Sequence, residues 1–119
     1  PAALAGDEES KSLFHACAEY VSQNLYNQIR VEEMAQQLGY SRSYLCSRFK
    51  KLTGLTITQY VLQQKILSAQ RMLEFTDKSI SEIAALYMFS SQSHFQNVFK
   101  RIAGQTPQTF RLQRQARAK

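Results

Sequence analysis

The sequence contains few of the residues on which several common protein classes depend. Its 119 residues include two cysteines, Cys17 and Cys46, too few for a disulfide scaffold and typical of a reducing compartment. Four glycines and two prolines favour helices over a turn-rich β fold. No apolar run approaches the roughly 18 residues of a membrane span, and no signal-peptide pattern opens the chain, so we expect neither a membrane partner nor export.

Acidic residues are scarce after residue 40. Residues 1–40 hold two basic and six acidic residues, a net charge of −4, whereas residues 41–119 hold 13 basic and three acidic residues, a net charge of +10. This segregation favours a polyanionic partner, because Lys and Arg that neutralise phosphates release counterions. On charge alone, a soluble protein with an uneven surface is an equal alternative.

Motifs that indicate catalysis or a resident metal are missing. The sequence has no C-x-x-C, H-E-x-x-H, Gly-rich phosphate loop or paired Cys–His spacing. Cys17 reads as a small core residue and His15 as a surface or core-edge residue. We therefore predict no catalytic residues, no metal ligands and no cofactor.

What the chain does contain is a repeat of about fifty residues. The segment 31–35 reappears as 80–84, and Gly39-Tyr40-Ser41 matches Met88-Phe89-Ser90, both at an offset of 49. From Leu45, which matches Phe95, the offset is 50, so the second copy carries one inserted residue near Ser90-Ser91. Two copies are too few for a solenoid, and two matched modules with a connector are expected.

The first copy predicts a helix-turn-helix unit. Its first helix carries an apolar face of Val31, Met34, Ala35 and Leu38. Gly39 is placed for a left-handed C-cap and Ser41 for the N-cap of a second helix. The apolar residues of that second helix are Leu45, Phe49 and Leu52, and Gly54 ends it.

The outer face of this second helix is small, hydrogen-bonding and basic, as a major-groove reader should be. At about 100° per residue it presents Ser43, Ser47, Lys50 and Lys51, with Arg42 and Cys46 on its flanks.

The second copy repeats this pattern. Ser79 and Glu82 form a capping box, and Ser91 caps a helix whose predicted core side is Phe95, Phe99 and Ile102. Its outer face presents Ser93, Asn97 and Lys100, flanked by Gln92, His94, Gln96 and Arg101. Gln and Asn side chains can make bidentate hydrogen bonds to adenine.

The remaining segments complete an all-α fold. Residues 58–75 predict a linker helix about 27 Å long, which could hold two recognition helices roughly one DNA turn, about 34 Å, apart. Residues 10–25 predict an amphipathic helix, and Thr106-Pro107 starts a last basic helix. The expected organisation is a tail or linker to a missing domain at 1–9, units at 10–57 and 76–112 joined by 58–75, and a basic tail at 113–119.

These residues resemble the DNA-binding domain of the AraC/XylS family of bacterial transcription regulators, over about residues 10–112. The most specific part is the second unit, with Ser91-Gln92-Ser93-His94-Phe95, Phe99-Lys100, Gly104 and Thr106-Pro107 at the family's spacing. In the first unit Leu38-Gly39-Tyr40-Ser41 and Phe49-Lys50-Lys51 agree, as does Lys65-Ile66 in the linker helix.

The resemblance implies about seven helices and sequence-specific binding of double-stranded promoter DNA. It implies base contacts from Arg42, Ser43, Cys46 and Ser47 in the first unit and from Gln92, Ser93, Gln96 and Asn97 in the second. Phosphate contacts are expected from Ser41, Lys50, Lys51, Ser91, Lys100, Arg101 and Thr106. It further implies a cytoplasmic, nucleoid-associated activator that contacts RNA polymerase and has an effector-binding domain elsewhere in the full-length protein.

Three positions depart from the family pattern. Met88 stands where Gly is usual, which predicts a strained turn or a different C-cap. Arg30 replaces the usual N-cap Ser or Thr, a change that typically costs about 1 kcal/mol. Ile57 replaces a common Pro. The first recognition helix is also poor in large hydrogen-bonding side chains at its base-facing positions, which favours phosphate positioning over direct base readout.

Two alternatives to a transcription regulator stay open from the residues. One is a basic helical module that binds acidic proteins, and the other is the DNA-anchoring domain of a repair or signalling protein. A preference for one duplex sequence over a scrambled one separates DNA readout from the first alternative.

Overall fold

The computed structural model describes the backbone of residues 2–118 and the side chains of residues 8–117, and over this range it confirms the predicted all-α fold. The seven helices are α1 (Ala2–Gln23), α2 (Val31–Leu38), α3 (Arg42–Thr53), α4 (Ile57–Phe75), α5 (Ile80–Leu86), α6 (Gln92–Ala103) and α7 (Pro107–Ala118). No strand occurs among residues 2–118.

The N-terminal helix is longer than the sequence predicted. Helix α1 begins at Ala2 rather than at residue 10, whereas α7 runs from Pro107 to Ala118 and agrees with the basic helix predicted to start at Thr106-Pro107. The segments 1–9 and 113–119, expected as tails, are therefore helical, apart from Pro1 and Lys119, which lie outside the described residues.

One compact unit comprises residues 1–25 and 29–61. Its core joins α1, α2, α3 and the first turn of α4 through Leu13, Cys17, Val21, Met34, Ala35, Leu45, Phe49, Ile57 and Val61. The Phe49 ring packs against Phe14 and Tyr60 at centroid distances of 6.1 and 5.2 Å. Burial, with a smaller contribution from Cys46, raises the pKa of the Cys17 thiol to about 11, which fits the predicted core role.

The other unit comprises residues 26–28 and 62–119. Four aromatic rings pack in sequence, with centroid distances of 5.1 Å for Phe89–Phe95, 5.8 Å for Phe95–Phe99 and 5.6 Å for Phe99–Phe110. Ile66, Ala69 and Leu73 of α4 and Ile83 and Ala84 of α5 are buried in the same unit.

Lys65 lies in the interior of this second unit, with only 5% of its surface exposed. Its Nζ donates hydrogen bonds to the backbone oxygens of Asn27 at 3.0 Å and Tyr87 at 2.7 Å. Burial lowers the pKa of the ammonium group, and the two carbonyls supply partners that make the burial tolerable.

The core differs from the apolar faces drawn on the sequence at two places. Leu52, expected inside, is 41% exposed, whereas Val98, which the sequence analysis did not assign, is buried on α6. Ile102 is half-buried. The centre of the inner face of α6 is therefore Phe95, Val98 and Phe99.

Candidate nucleic-acid interface

The turn before α3 has the geometry that the sequence predicted. Gly39 lies in the left-handed region at φ 81°, and the amides of Gly39 and Tyr40 donate to the oxygens of Gln36 and Ala35 at 3.2 and 2.9 Å. The Ser41 hydroxyl then accepts a hydrogen bond from the Tyr44 amide at 3.2 Å. These two caps end α2 and start α3 within three residues.

Helix α3 turns its polar and basic side chains outward. Leu45 and Phe49 are fully buried on its inner side, while Arg42, Ser43, Ser47, Lys50 and Lys51 are exposed and Cys46 is half-buried. A groove of about 840 Å³ brings these six residues together with the start of α4. All four base-contact candidates and both lysines of the first unit therefore line one concave surface.

One member of this surface, Arg42, forms an ion pair with a residue that was not predicted as part of the site. The Arg42 Nη1 atom lies 3.6 Å from the Glu32 Oε1 atom, and the two side chains are 63% and 79% exposed. Glu32 is in the first turn of α2, ten positions before Arg42, so no helical spacing relates them. Arg30 makes no side-chain cap for α2, as its departure from the family pattern predicted.

The second turn reproduces the first with a less suitable residue. The amides of Met88 and Phe89 donate to the oxygens of Ala85 and Ala84, both at 3.0 Å, in the pattern made by Gly39 and Tyr40. Met88 therefore takes the left-handed conformation at φ 64°. For a side chain with a Cβ atom this conformation costs about 1–2 kcal/mol, so the predicted strain is present. The hydrogen bonds of the turn are kept, but α5 ends one residue earlier than α2 does, and its C-cap is Tyr87 at φ −89°.

Helix α6 begins at a second serine cap. The Ser91 hydroxyl accepts from the His94 amide at 3.0 Å. The Oγ atom of the inserted residue Ser90 lies 3.2 Å from the Nδ1 atom of His94. The rings of His94 and Phe89 form a T-shaped pair with their centroids 5.3 Å apart. The extra residue is thus accommodated before the helix and bonded to its first turn.

The outer face of α6 is richer in amides than that of α3. Gln92, Ser93, Asn97, Lys100 and Arg101 are exposed, and Gln96 is half-buried. Phe95, Val98 and Phe99 hold the opposite side in the core. The predicted base-contact residues of the second unit therefore lie on the helix side that faces away from the core.

The C-terminal ends of the two recognition helices also match. Gly54 and Gly104, at φ 77° and 82°, donate to the oxygens of Lys50 and Lys100. Thr56 and Thr106 then cap α4 and α7, accepting from the amides of Gln59 at 3.1 Å and Thr109 at 3.2 Å. Thr106 was among the predicted phosphate contacts and Thr56 was not, although the repeat makes the two equivalent.

Among the described side chains, those of residues 8–117, no group of three or more His, Cys, Asp or Glu could hold a metal ion. Within residues 2–118, no helix has both the length and the apolar character needed to cross a bilayer.

These features define a class of protein: an all-α domain with two helix-turn-helix units, each exposing a polar and basic second helix. A helix-turn-helix domain family matches residues 34–113. The chain is 37% identical over 108 residues to the Msm operon regulatory protein of Streptococcus mutans, covering 87% of this chain but 39% of that protein. It therefore spans about two fifths of this relative's length.

Two solved structures share the fold. An AraC-type transcriptional regulator from Chromobacterium violaceum has a TM-score of 0.85 at 27% identity, with 90% of this chain and 96% of that one covered. The DNA-binding domain of AdpA, a global transcriptional factor solved with a target DNA, has a TM-score of 0.79 at 33% identity, with coverages of 88% and 94%. The chain belongs to the AraC-type helix-turn-helix family of transcription regulators and is a DNA-binding module of that type.

Proposed function

We propose that the chain reads promoter DNA through α3 and α6, each lying in a major groove and the two occupying successive grooves. The observation that carries this proposal is the duplication. Both copies place a serine-capped helix with a buried aromatic side and an exposed polar side at the same point of the unit. One such face is common on soluble helices, whereas its recurrence in both copies of the repeat favours a shared role.

The proposed base contacts differ between the two helices. In the second unit Gln92, Gln96 and Asn97 supply amides that can pair in bidentate fashion with adenine, and Ser93 can reach either kind of base edge. In the first unit Arg42 can pair with guanine, while Ser43, Cys46 and Ser47 are small. We therefore assign the larger share of direct readout to α6.

The proposed phosphate contacts frame each recognition helix at both ends. Ser41 and Ser91 lie at the N-termini, where free amides and the helix dipole favour an anion. Lys50, Lys51, Lys100 and Arg101 lie in the last turns, followed by the capped start of the next helix at Thr106 and its equivalent Thr56. These contacts fix register and orientation without carrying sequence information.

We further propose that the module has no catalytic role and acts in the cytoplasm, at the nucleoid, as part of a transcription activator. RNA polymerase and an effector-binding domain in the same full-length protein are the proposed partners. The length of the Streptococcus mutans relative, well over twice the matched region, supports an additional domain. A DNA-anchoring role in a repair or signalling protein uses the same interface and would differ in what the rest of the protein does.

In vitro selection of bound duplexes, read by sequencing, tests the proposal most directly. We expect an enriched sequence with two protected patches about one helical turn apart. Retention of scrambled and selected duplexes with equal affinity would contradict sequence readout and favour a basic module that binds acidic proteins.

Variants then separate base contacts from phosphate contacts. Gln96→Ala and Asn97→Ala are expected to weaken binding to the selected duplex by about 1–3 kcal/mol where a base contact exists, and to leave scrambled duplex binding nearly unchanged. Gln63→Ala, which removes an exposed amide from α4, is the matched control. Lys50→Ala and Lys100→Ala should weaken binding to every duplex and reduce the salt slope by about one unit each.

A further inference from the structure

Glu32 stands beside the interface without belonging to any of the groups that bind DNA in the proposed function. Its carboxylate lies 3.6 Å from the guanidinium of Arg42, and both side chains are well exposed. The neighbouring Glu33 is also exposed and holds no ion pair among the described side chains. Of these two adjacent carboxylates of α2, Glu32 is the one that forms an ion pair with the first recognition helix.

We propose that Glu32 is a specificity-determining residue that positions Arg42 for base readout and weakens its binding to phosphate. This inference rests on the proposed role of Arg42 as a base contact. It assigns to an acidic residue, which on charge alone should only oppose DNA binding, a positive contribution to the choice of sequence.

Glu32 affects the order of the Arg42 side chain in the free protein. A free arginine loses about 2 kcal/mol of rotamer entropy when it is fixed, and a bidentate contact with guanine requires the guanidinium plane to be fixed. The Glu32 carboxylate, 3.6 Å away, attracts the guanidinium and favours this position of the Arg42 side chain before DNA arrives. Part of the entropy cost of ordering Arg42 is then incurred in the free protein. This lowers the free energy of binding only to a base edge that fits the ordered guanidinium.

Glu32 also weakens the attraction between Arg42 and phosphate. An unpaired arginine at the N-terminus of a helix attracts any nearby phosphate, whatever the sequence. A carboxylate paired with that arginine reduces the local positive charge and raises the free energy of such contacts. Both effects act in the same direction, because they increase the ratio of specific to nonspecific affinity.

The second unit lacks this pair. At the repeat offsets, Ser81 takes the place of Glu32 and Gln92 takes the place of Arg42. Gln92 carries no charge that would bind phosphate indiscriminately, so no carboxylate is needed to restrain it. The acidic residue occurs in the unit where the base-contact candidate is an arginine.

The test compares Glu32→Gln with Glu33→Gln, which removes the same charge one residue away. Affinities of both variants for the selected duplex and for a scrambled duplex are measured by fluorescence anisotropy at one fixed salt concentration. We expect both variants to bind the scrambled duplex more tightly. Glu32→Gln alone should lower the ratio of specific to scrambled affinity, by about two- to fivefold, the range of an exposed ion pair. Equal ratios for the two variants would overturn the inference.

A double-mutant cycle with Arg42→Gln identifies the route of the effect. In the Arg42→Gln background, Glu32→Gln should change the ratio no more than Glu33→Gln does, since the partner is gone. A persistent effect of Glu32→Gln there would show that Glu32 does not act through Arg42, which also overturns the inference.

The same cycle separates this inference from the proposed function on which it rests. If Arg42→Gln weakens specific and scrambled binding equally, the base contact of Arg42 fails and the role of Glu32 fails with it. If Arg42→Gln lowers the ratio while Glu32→Gln does not, the base contact stands and the role of Glu32 alone is wrong.

Discussion

The first helix-turn-helix unit has a relaxed turn and a charged recognition face, whereas the second has a strained turn and a face rich in amides. Gly39 occupies the left-handed position in one copy, and Met88 occupies it in the other. Arg42 is held by Glu32 in the first copy, while the second has Gln92 and Ser81 at the equivalent positions. Yet both copies keep the serine cap, the buried phenylalanine and the glycine that ends the recognition helix.

This comparison indicates which parts of the unit are constrained. The caps and the aromatic core set where the recognition helix begins and which side it turns outward, so both copies retain them. The exposed side contributes little to folding and can diverge toward a different DNA sequence. Four experiments test whether the core and the exposed face are separable in this way.

The largest loss of stability is expected when the equivalent core phenylalanines of the two units are replaced. Phe49→Ala and Phe99→Ala each remove a fully buried ring and should lower the free energy of unfolding by about 3–5 kcal/mol. Urea denaturation measures the loss, and hydrogen exchange locates it. Faster exchange concentrated in the unit that carries the substitution would support two separate cores. Equal acceleration in both units would contradict that separation.

Cys17 should make the first unit sensitive to alkaline pH. Its pKa is about 11 in the folded chain against an ordinary value of 9.0, so the folded state keeps a proton that the unfolded chain has lost. The stabilising contribution is complete below pH 9 and is lost as pH rises toward 11, a decrease of about 2 kcal/mol. Urea denaturation at pH 9 and pH 11 should show this decrease in the native chain and in Cys46→Ala. Cys17→Ala should lack it, and an equal pH dependence in all three would refute the assignment.

Lys65 should contribute to the stability of the second unit and not to that of the first. Lys65→Met keeps most of the side-chain volume but removes the donor to the backbone oxygens of Asn27 and Tyr87. Because the hydrogen bond to Tyr87 is buried, its loss should cost about 1–3 kcal/mol. Lys78→Met, at an exposed lysine of the same unit, is the control and should change stability little. Thermal denaturation gives the size of the loss. Indistinguishable denaturation midpoints for the two variants would show that the hydrogen bonds donated by Lys65 contribute nothing to stability.

The smallest changes in stability are expected at the two turns, where one substitution should stabilise the chain and the other should destabilise it. Met88→Gly should stabilise the chain by about 1 kcal/mol, because glycine adopts φ 64° without a Cβ penalty. Gly39→Ala should destabilise it by a similar amount, since φ is 81° there although no atom lies within 4 Å of the added Cβ. Denaturation midpoints measure both changes. A loss of stability in Met88→Gly would mean that the methionine side chain compensates for the strain.

Much of the fold could be predicted because its signals are local. Ser41, Ser79 and Ser91 cap their helices as expected, and Gly39, Gly54 and Gly104 are left-handed. Each prediction depends only on a few neighbouring residues and on the backbone. The placement of base-contact candidates on the outer sides of α3 and α6 follows from the same helical periodicity.

The features that were missed depend on distant contacts. Leu52 lies at the edge of an apolar stripe, where only the packing of neighbouring helices decides whether a side chain is covered, and it is 41% exposed. The Glu32–Arg42 pair joins two helices across a turn. The burial of Lys65 could have been suspected from the sequence, because this residue lies four positions from both Val61 and Ala69, on the apolar stripe of α4. A lysine at such a position is normally exposed, and its burial requires carbonyl partners that the sequence does not reveal.

The hydrogen bond from Lys65 to Asn27 limits how the polypeptide can be dissected. Residues 26–28 belong to the second unit although they precede most of the first along the chain. A truncated fragment that begins at residue 62 would keep the ammonium group and lose one of its two acceptors. The second unit is therefore discontinuous in sequence. Moving it intact into another protein would require residues 26–28, which precede the first recognition helix, as well as the segment from residue 62 onward.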